Sequence, residues 1–212
     1  MKWQVKMGWH NALFLHWKIA PDVLRPLLPP TVELDLFGDH AWLGIVAFEM
    51  HDVRRRWLPR VPGMLSFPEI NVRTYCRHGG IDGIFFLSLD TPEFFTRTFG
   101  KRHFHLPYRK RRMDYEITAN SSTRYRSYHP DGKLEFDACY EPADDGAEEL
   151  TAFAPSDFIH WSSERYSLYS QTPDGTLMRG DVEHPPWPTS QVAFELATNH
   201  LLTSYMGPAT TP

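Results

Sequence analysis

Hydrophobic and polar positions fall along this chain in short runs, and most of those runs have the period of a strand. Ala12 to Trp17 is apolar apart from His16, which on such a strand reads as a hydrogen-bonded core residue. Pro21 opens a segment with apolar residues at helical spacing and Pro29-Pro30 closes it, predicting a short helix that ends at Leu28. Val32 to Phe37 alternates apolar and acidic residues, as a half-exposed strand does. His40 to Met50 is apolar on both faces, which predicts a central strand covered on both sides, with Gly44 marking a bend or a close approach. A loop follows from Arg54 to Gly63. Ile81 to Asp90 is a further apolar strand, with Ser88 and Asp90 expected on its Phe86 face. Thr91-Pro92-Glu93 then reads as a helix start, with Phe94, Phe95, Thr98 and Phe99 as the buried stripe up to Gly100.

The second half repeats this alternation. Tyr115 to Ala119, Thr123 to Tyr128 and Leu134 to Tyr140 are successive short strands, and His129-Pro130-Asp131-Gly132-Lys133 is a hairpin turn. Glu148 to Trp161 is expected to be partly helical. Arg165 to Ser170 and Thr176 to Glu183 form a hairpin around Asp174-Gly175. His184-Pro185-Pro186-Trp187-Pro188 is a rigid extended segment, either a cover for the core edge or a wall of a pocket. Val192 to Leu202 is expected to be a final helix. Without repeat, linker or low-complexity tract, residues 1–212 read as one domain.

One stretch stands apart. In Phe67-Pro68-Glu69-Ile70-Asn71-Val72-Arg73-Thr74-Tyr75, strand alternation puts Glu69, Asn71, Arg73 and Tyr75 on one face and Ile70, Val72 and Thr74 on the other. Charged side chains are seldom buried unless paired. The polar face therefore either meets water or lines a pocket in which Glu69 and Arg73 neutralise one another and grip a polar ligand; the pocket is the reading taken here.

Composition narrows the partners. The net charge of −4 gives no global attraction to nucleic acid or anionic lipid. The basic run Lys101 to Arg112 is offset by the acidic stretch Glu141 to Glu149, so no nucleic-acid partner is expected. His103-x-His105 could chelate a metal from one strand face, but no third ligand is visible in the sequence, and no metal or cofactor motif is present. Cys76 and Cys139 have no metal spacing and read as reduced, buried thiols. No apolar run is long enough for a signal peptide or a membrane span, so a soluble cytoplasmic protein is expected, and a homo-oligomer is left open.

Four stretches in this order carry a resemblance: Leu24 to Pro29, Phe67 to Tyr75, Leu106-Pro107-Tyr108 followed by Met113, and His184 to Pro188. Together they resemble the YqjF-like family of uncharacterised bacterial proteins, part of the acetoacetate-decarboxylase-like superfamily. The resemblance implies a β-rich α+β fold: a single-domain antiparallel β-barrel with a few flanking helices and a pocket inside. Decarboxylases of that superfamily form a Schiff base on a lysine whose pKa a second lysine and an apolar site depress. Where those lysines follow a Gly-x-Pro segment, this chain has His105-Leu106-Pro107 and then Tyr108 and Arg109, neither of which can form an imine. Lys110 lies one position further, on the other face of a strand. The resemblance does give the family's glutamate a counterpart in Glu69.

These readings predict a small-molecule-binding protein without Schiff-base decarboxylase activity. Glu69, Asn71 and Arg73 would orient a polar or carboxylate-bearing ligand, while Phe86, Tyr108, His184 and Trp187 would enclose it. The alternative is a lyase- or isomerase-type enzyme in which Glu69, its pKa raised by burial, abstracts a proton α to the carbonyl of a keto acid and Arg73 or His184 stabilises the enolate. A lysine-dependent route would need Lys18 or Lys110 to reach the pocket.

Overall fold

Two long strands, β1 (Val5–Ile19) and β3 (Ala41–Arg55), pair antiparallel along most of their length and bring Phe14, His16 and Lys18 opposite Val46, Gly44 and Trp42. The computed structural model describes residues 4–56, 66–118, 122–142, 157–189 and 192–206. Between β1 and β3 lie the short helix α1 (Pro21–Leu24), extended by a 3-10 turn to Leu27, and the two-residue strand β2 (Glu33–Leu34). The half-exposed strand expected over residues 32–37 is thus reduced to two residues, which pair with Arg77 and Cys76. The loop expected up to Gly63 begins later than foreseen, after Arg55, and from residue 57 lies outside the described residues.

Beside β3 runs β4 (Phe67–His78), followed by β5 (Ile81–Thr91), helix α2 (Phe94–Phe104) and the short β6 (Tyr108–Lys110). Strands β7 (Arg112–Ile117), β8 (Thr123–Tyr128) and β9 (Leu134–Pro142) form the expected meander. Helix α3 (Phe158–Ser163), the hairpin of β10 (Ser167–Gln171) and β11 (Leu177–Asp181), strand β12 (Val192–Asn199) and helix α4 (Thr203–Met206) complete the described chain. No helix among the described residues is long and apolar enough to cross a membrane.

The strands form two sheets. An eight-stranded sheet has the order β1-β3-β4-β5-β10-β11, with β2 added on β4 and β6 on β5; a four-stranded sheet has the order β12-β9-β8-β7. Among the described residues neither order returns to its first strand, so the sheets are open where a closed barrel was expected. Nor is the large sheet wholly antiparallel, because β5 takes both β10 and β6 as parallel neighbours. Closure is not needed to bury the apolar face, because the small sheet covers it. Leu13, Leu15, Trp17, Leu43, Ile45, Ile70 and Val72 meet Tyr125, Phe136, Ala138 and Tyr140 there in one core.

Three local expectations fail for identifiable reasons. The final helix expected over Val192 to Leu202 is strand β12, which pairs with β9 along its length. Its helical stripe was weak, and the exposed ladder of β9 supplied a partner that local preference could not foresee. Helix α2 begins at Phe94, not Thr91: the Glu93 side chain caps it by accepting the backbone N–H of Phe95 at 2.8 Å and that of Thr96. The helix turns a different side to the protein as a result. Phe94 and Phe95 are 60% and 66% exposed, and Gly100 is its buried residue. On β5 a bulge at the Val72/Arg73 position inserts Leu87, so Phe86 faces the side of Arg73 while Ser88 and Asp90 turn to the other face.

Candidate functional site

Strand β4 is buried on both faces from Ile70 to Cys76. Its Ile70 and Val72 side is the intersheet core. The opposite side carries Glu69, Asn71, Arg73 and Tyr75, which are respectively 2%, 0%, 4% and 0% exposed. The polar face therefore does not meet water as a solvated edge would. Register sets its neighbours: Phe48 lies beside Glu69, Val46 and Leu89 flank Asn71, and Gly44 and Phe86 flank Arg73. Tyr75, Ile84, Phe86, Leu89 and Tyr108 form an apolar cluster of their own on this side.

At one end, the Tyr108 hydroxyl donates to Glu69 Oε2 at 3.2 Å. Burial pushes the Glu69 carboxyl up to about 8, an effect that the Tyr108 hydrogen bond opposes and the nearby charge of Asp90 reinforces. Burial also holds the Tyr108 phenol well above its usual range. Gly100 is what lets the Tyr108 ring reach this position. A Cβ on Gly100 would lie 2.4 Å from Tyr108 Cε2, so helix α2 presses a bare backbone against the ring.

At the other end stands Arg73. Its Nη2 donates to the Ser162 carbonyl at 3.5 Å, its guanidinium lies 5.4 Å from the Phe14 ring centre, and its Nε meets no partner. Among the described residues no carboxylate forms an ion pair with it. The expected neutralisation by Glu69 does not occur: four residues of extended strand separate their Cα atoms by about 13 Å, and Glu69 is held in its protonated form near neutrality. Both polar atoms of the Asn71 amide also lack a hydrogen-bond partner. Each such group left unsatisfied in a protein interior costs about 1–3 kcal/mol, and a charged one more.

Beside Arg73 lies a histidine that sequence reasoning had assigned to the core. His16 Nε2 and the Tyr75 hydroxyl are 2.6 Å apart. Burial and then the Arg73 charge lower the imidazole pKa to about 3, so the ring stays neutral. A Cβ on Gly44 would be 3.4 Å from both Arg73 Cγ and His16 Cδ2, so the close approach signalled by that glycine is of these two side chains. His16 was recognised as hydrogen-bonded, but its facing was not, because that depends on the β1–β3 register.

Helix α3 covers the Tyr75 end. Trp161 packs on Tyr75 at 4.4 Å between ring centres, and Phe158 meets Trp42 at 4.1 Å and His16 edge-on at 5.1 Å. Asp35 holds the helix down: it accepts from Trp161 Nε1 at 3.1 Å and from the buried Arg165 at 2.7 Å. No pattern in the sequence marked Asp35 and Arg165, which lie 130 residues apart.

Of the remaining predicted residues, Trp187 stacks on Trp9 at 5.2 Å and stands 6.4 Å from Phe14, one ring away from Arg73. His184 lies further out. Its Nδ1 is 2.8 Å from the Pro185 carbonyl and its ring is sandwiched with Tyr166 and Trp187, so it does not join the buried polar residues. His103 and His105 share no strand face: His103 ends helix α2 with Nδ1 3.2 Å from the Phe99 carbonyl, and His105 takes a left-handed conformation as its cap. Arg109 turns away from Glu69 and grips Asp90 with two bonds of 2.7 and 2.8 Å. Lys110 and Lys18 are both exposed, Lys18 lying over the outer Trp42 ring at 5.6 Å. Among the described residues no group of three His, Cys, Asp or Glu side chains could hold a metal ion.

The fold is acetoacetate-decarboxylase-like, as superposition with solved structures shows. The structure of acetoacetate decarboxylase from Legionella pneumophila superposes with a TM-score of 0.67 at 13% identity, covering 95% of this chain and 78% of that one. An acetoacetate decarboxylase-like enzyme from Sphingomonas wittichii RW1 gives 0.60 at 15% identity, over 91% and 80% of the two chains. Identities so low speak for the fold and not for the chemistry. The profile of DUF2071, described as an uncharacterised conserved protein, matches residues 6–212. The uncharacterised protein YqjF of Bacillus subtilis strain 168 is 33% identical over 197 residues, 93% of this chain and 79% of YqjF. The chain belongs to the DUF2071 family.

Proposed function

We propose that the face of β4 bearing Glu69, Asn71 and Arg73 lines a pocket that binds a small organic carboxylate. The observation that carries this reading is Arg73, a buried guanidinium without a carboxylate partner among the described residues, beside an Asn71 amide with neither polar atom bonded. A ligand carboxylate would accept from the Arg73 guanidinium and from Asn71 Nδ2, and charge-assisted bonds to a guanidinium are the strong ones in a dry site. Phe14, Phe86 and Trp187 supply apolar surface around it.

Schiff-base decarboxylation is not part of this proposal. Every lysine among the described residues, at positions 6, 18, 101, 110 and 133, is exposed. An imine-forming amine works from an enclosed, dry site, and none of these five is buried.

A thermal-shift screen of small carboxylates against the wild type and Arg73→Met tests the reading. A ligand that binds the folded state raises the midpoint by mass action. Wild type is expected to shift and Arg73→Met is not. Equal shifts in both proteins would remove Arg73 as the anchor.

One observation favours a second reading, that of an enzyme acting on a keto acid. Glu69, with a carboxyl pKa near 8, holds a proton that it could exchange near neutrality. If turnover of a keto acid is found, Glu69→Gln is expected to abolish it; retained turnover would end the assignment.

A further inference from the structure

Helix α2 leaves a mixed apolar and basic face uncovered. At about 100° per residue, Phe94, Phe95, Thr98, Lys101 and Arg102 fall within an arc of about 120°, and all five are exposed. Gly100 lies on the opposite side, where the helix backbone presses on Tyr108. Phe94 and Phe95, at 60% and 66%, are the most exposed large hydrophobic residues among those described, and their rings meet edge to face at 5.6 Å. Lys101 and Arg102 follow about 10 Å further along the axis, at about 1.5 Å per residue. Neither has an acidic partner among the described residues. No acidic residue lies between Phe94 and Phe104, and the capping Glu93 turns its carboxylate onto the backbone N–H groups of Phe95 and Thr96. Arg97 is occupied within the molecule, bonded to the Thr91 and Pro92 carbonyls at 3.3 and 2.8 Å.

We propose that this face docks on an anionic lipid bilayer, with Phe94 and Phe95 entering the boundary between headgroups and acyl chains and Lys101 and Arg102 meeting lipid phosphates. Area favours lipid over a protein partner. At about 200 Å² for a whole aromatic side chain, the exposed parts of the two rings offer roughly 250 Å². A specific protein interface covers about 800 Å² on each partner. Lipid also closes around projecting rings without needing a matching cavity. Charge favours an anionic surface, since both cations lie beside the rings without a carboxylate to neutralise them. The net charge of −4 opposes this little, because at physiological salt exposed charges more than about 8 Å apart are largely screened. Two rings and two cations make a reversible contact, not a permanent anchor. Nothing here depends on the carboxylate pocket of β4.

The test is co-sedimentation of the full chain with vesicles of phosphatidylcholine alone or mixed with phosphatidylglycerol. Binding is expected to be at least about tenfold stronger to the mixed vesicles, and to fall at high salt. Lys101→Glu with Arg102→Glu is expected to erase the preference for the anionic lipid. Phe94→Ser with Phe95→Ser is expected to weaken binding about tenfold or more. Phe94→Leu with Phe95→Leu is expected to retain it, which guards against a folding artefact in the serine variant. Phe194→Ser, which removes an exposed ring from β12, is expected to change nothing. No binding to mixed vesicles, equal binding to both lipids, or full binding by the serine variant would overturn the proposal. So would a dimer in lipid-free buffer that the serine variant dissociates, since the face would then belong to a second copy of the chain.

Discussion

Glu69 and His16 sit on the same buried face and have opposite proton preferences, so their effects on stability bracket a pH window. Folded Glu69 keeps its proton up to about 8 while its unfolded form loses it near 4.5. Folded His16 stays neutral down to about 3 while its unfolded form gains a proton near 6.5. Between pH 4.5 and 6.5 the unfolded chain holds one proton on this pair and so does the folded chain, and the slope is zero. Above 6.5 the folded state holds the extra proton, and stability falls as pH rises to about 8. Below 4.5 the unfolded state holds it, and stability falls as pH drops toward 3. Each flank has a slope of at most about 1.4 kcal/mol per pH unit. Urea titrations across pH are expected to show that Glu69→Gln flattens the alkaline flank and His16→Gln the acid one. An unchanged alkaline flank in Glu69→Gln would mean the carboxyl is ionised in the fold.

Arg73 belongs to the same account. It remains charged without a carboxylate partner among the described residues, which makes it a cost to folding. Arg73→Met is expected to raise stability by about 1–3 kcal/mol while abolishing carboxylate binding. Loss of both would show that the guanidinium holds the fold, chiefly through its Ser162 contact.

Among the elements, helix α3 depends most on distant side chains. It has six residues, too few to be stable alone, and no side chain caps its N-terminus. What fixes it is Asp35, bonded to Trp161 and Arg165, with Phe158 and Trp161 packed on Phe37, Trp42 and Tyr75. Asp35→Asn removes the close charge partner of the buried Arg165, leaving only the half-exposed Asp82 at 4.0 Å, and is expected to cost up to about 3–5 kcal/mol. Near-ultraviolet circular dichroism should report the loss through Trp161. A variant with native signal and stability would show that aromatic packing alone holds the helix.

Taken whole, the molecule divides its large sheet between two tasks. One face joins the small sheet in the hydrocarbon core, and the other keeps the polar row. Phe136, fully buried between the sheets, is central to the first task. Phe136→Ala is expected to cost about 3–5 kcal/mol in chemical denaturation. A much smaller loss would mean that the sheets close over the cavity. The chain thus belongs to DUF2071 and shares its fold with acetoacetate decarboxylases at identities too low to carry over their chemistry.

Alternation along β4 was enough to place Glu69, Asn71, Arg73 and Tyr75 on one face, because a period of two is a property of the extended backbone and needs no partner strand. Turn residues marked the hairpins for the same local reason. Everything that depended on which strand lay beside which was decided by tertiary structure. The bulge that inserts Leu87, the conversion of residues 192–199 from expected helix to strand, and the exposure of Phe94 and Phe95 all follow from pairing and packing across long separations. So do the facing of His16 and the bond from Arg165 to Asp35. A sequence records each residue's local preference. The neighbour that satisfies or overrides it is fixed when the chain buries its apolar surface.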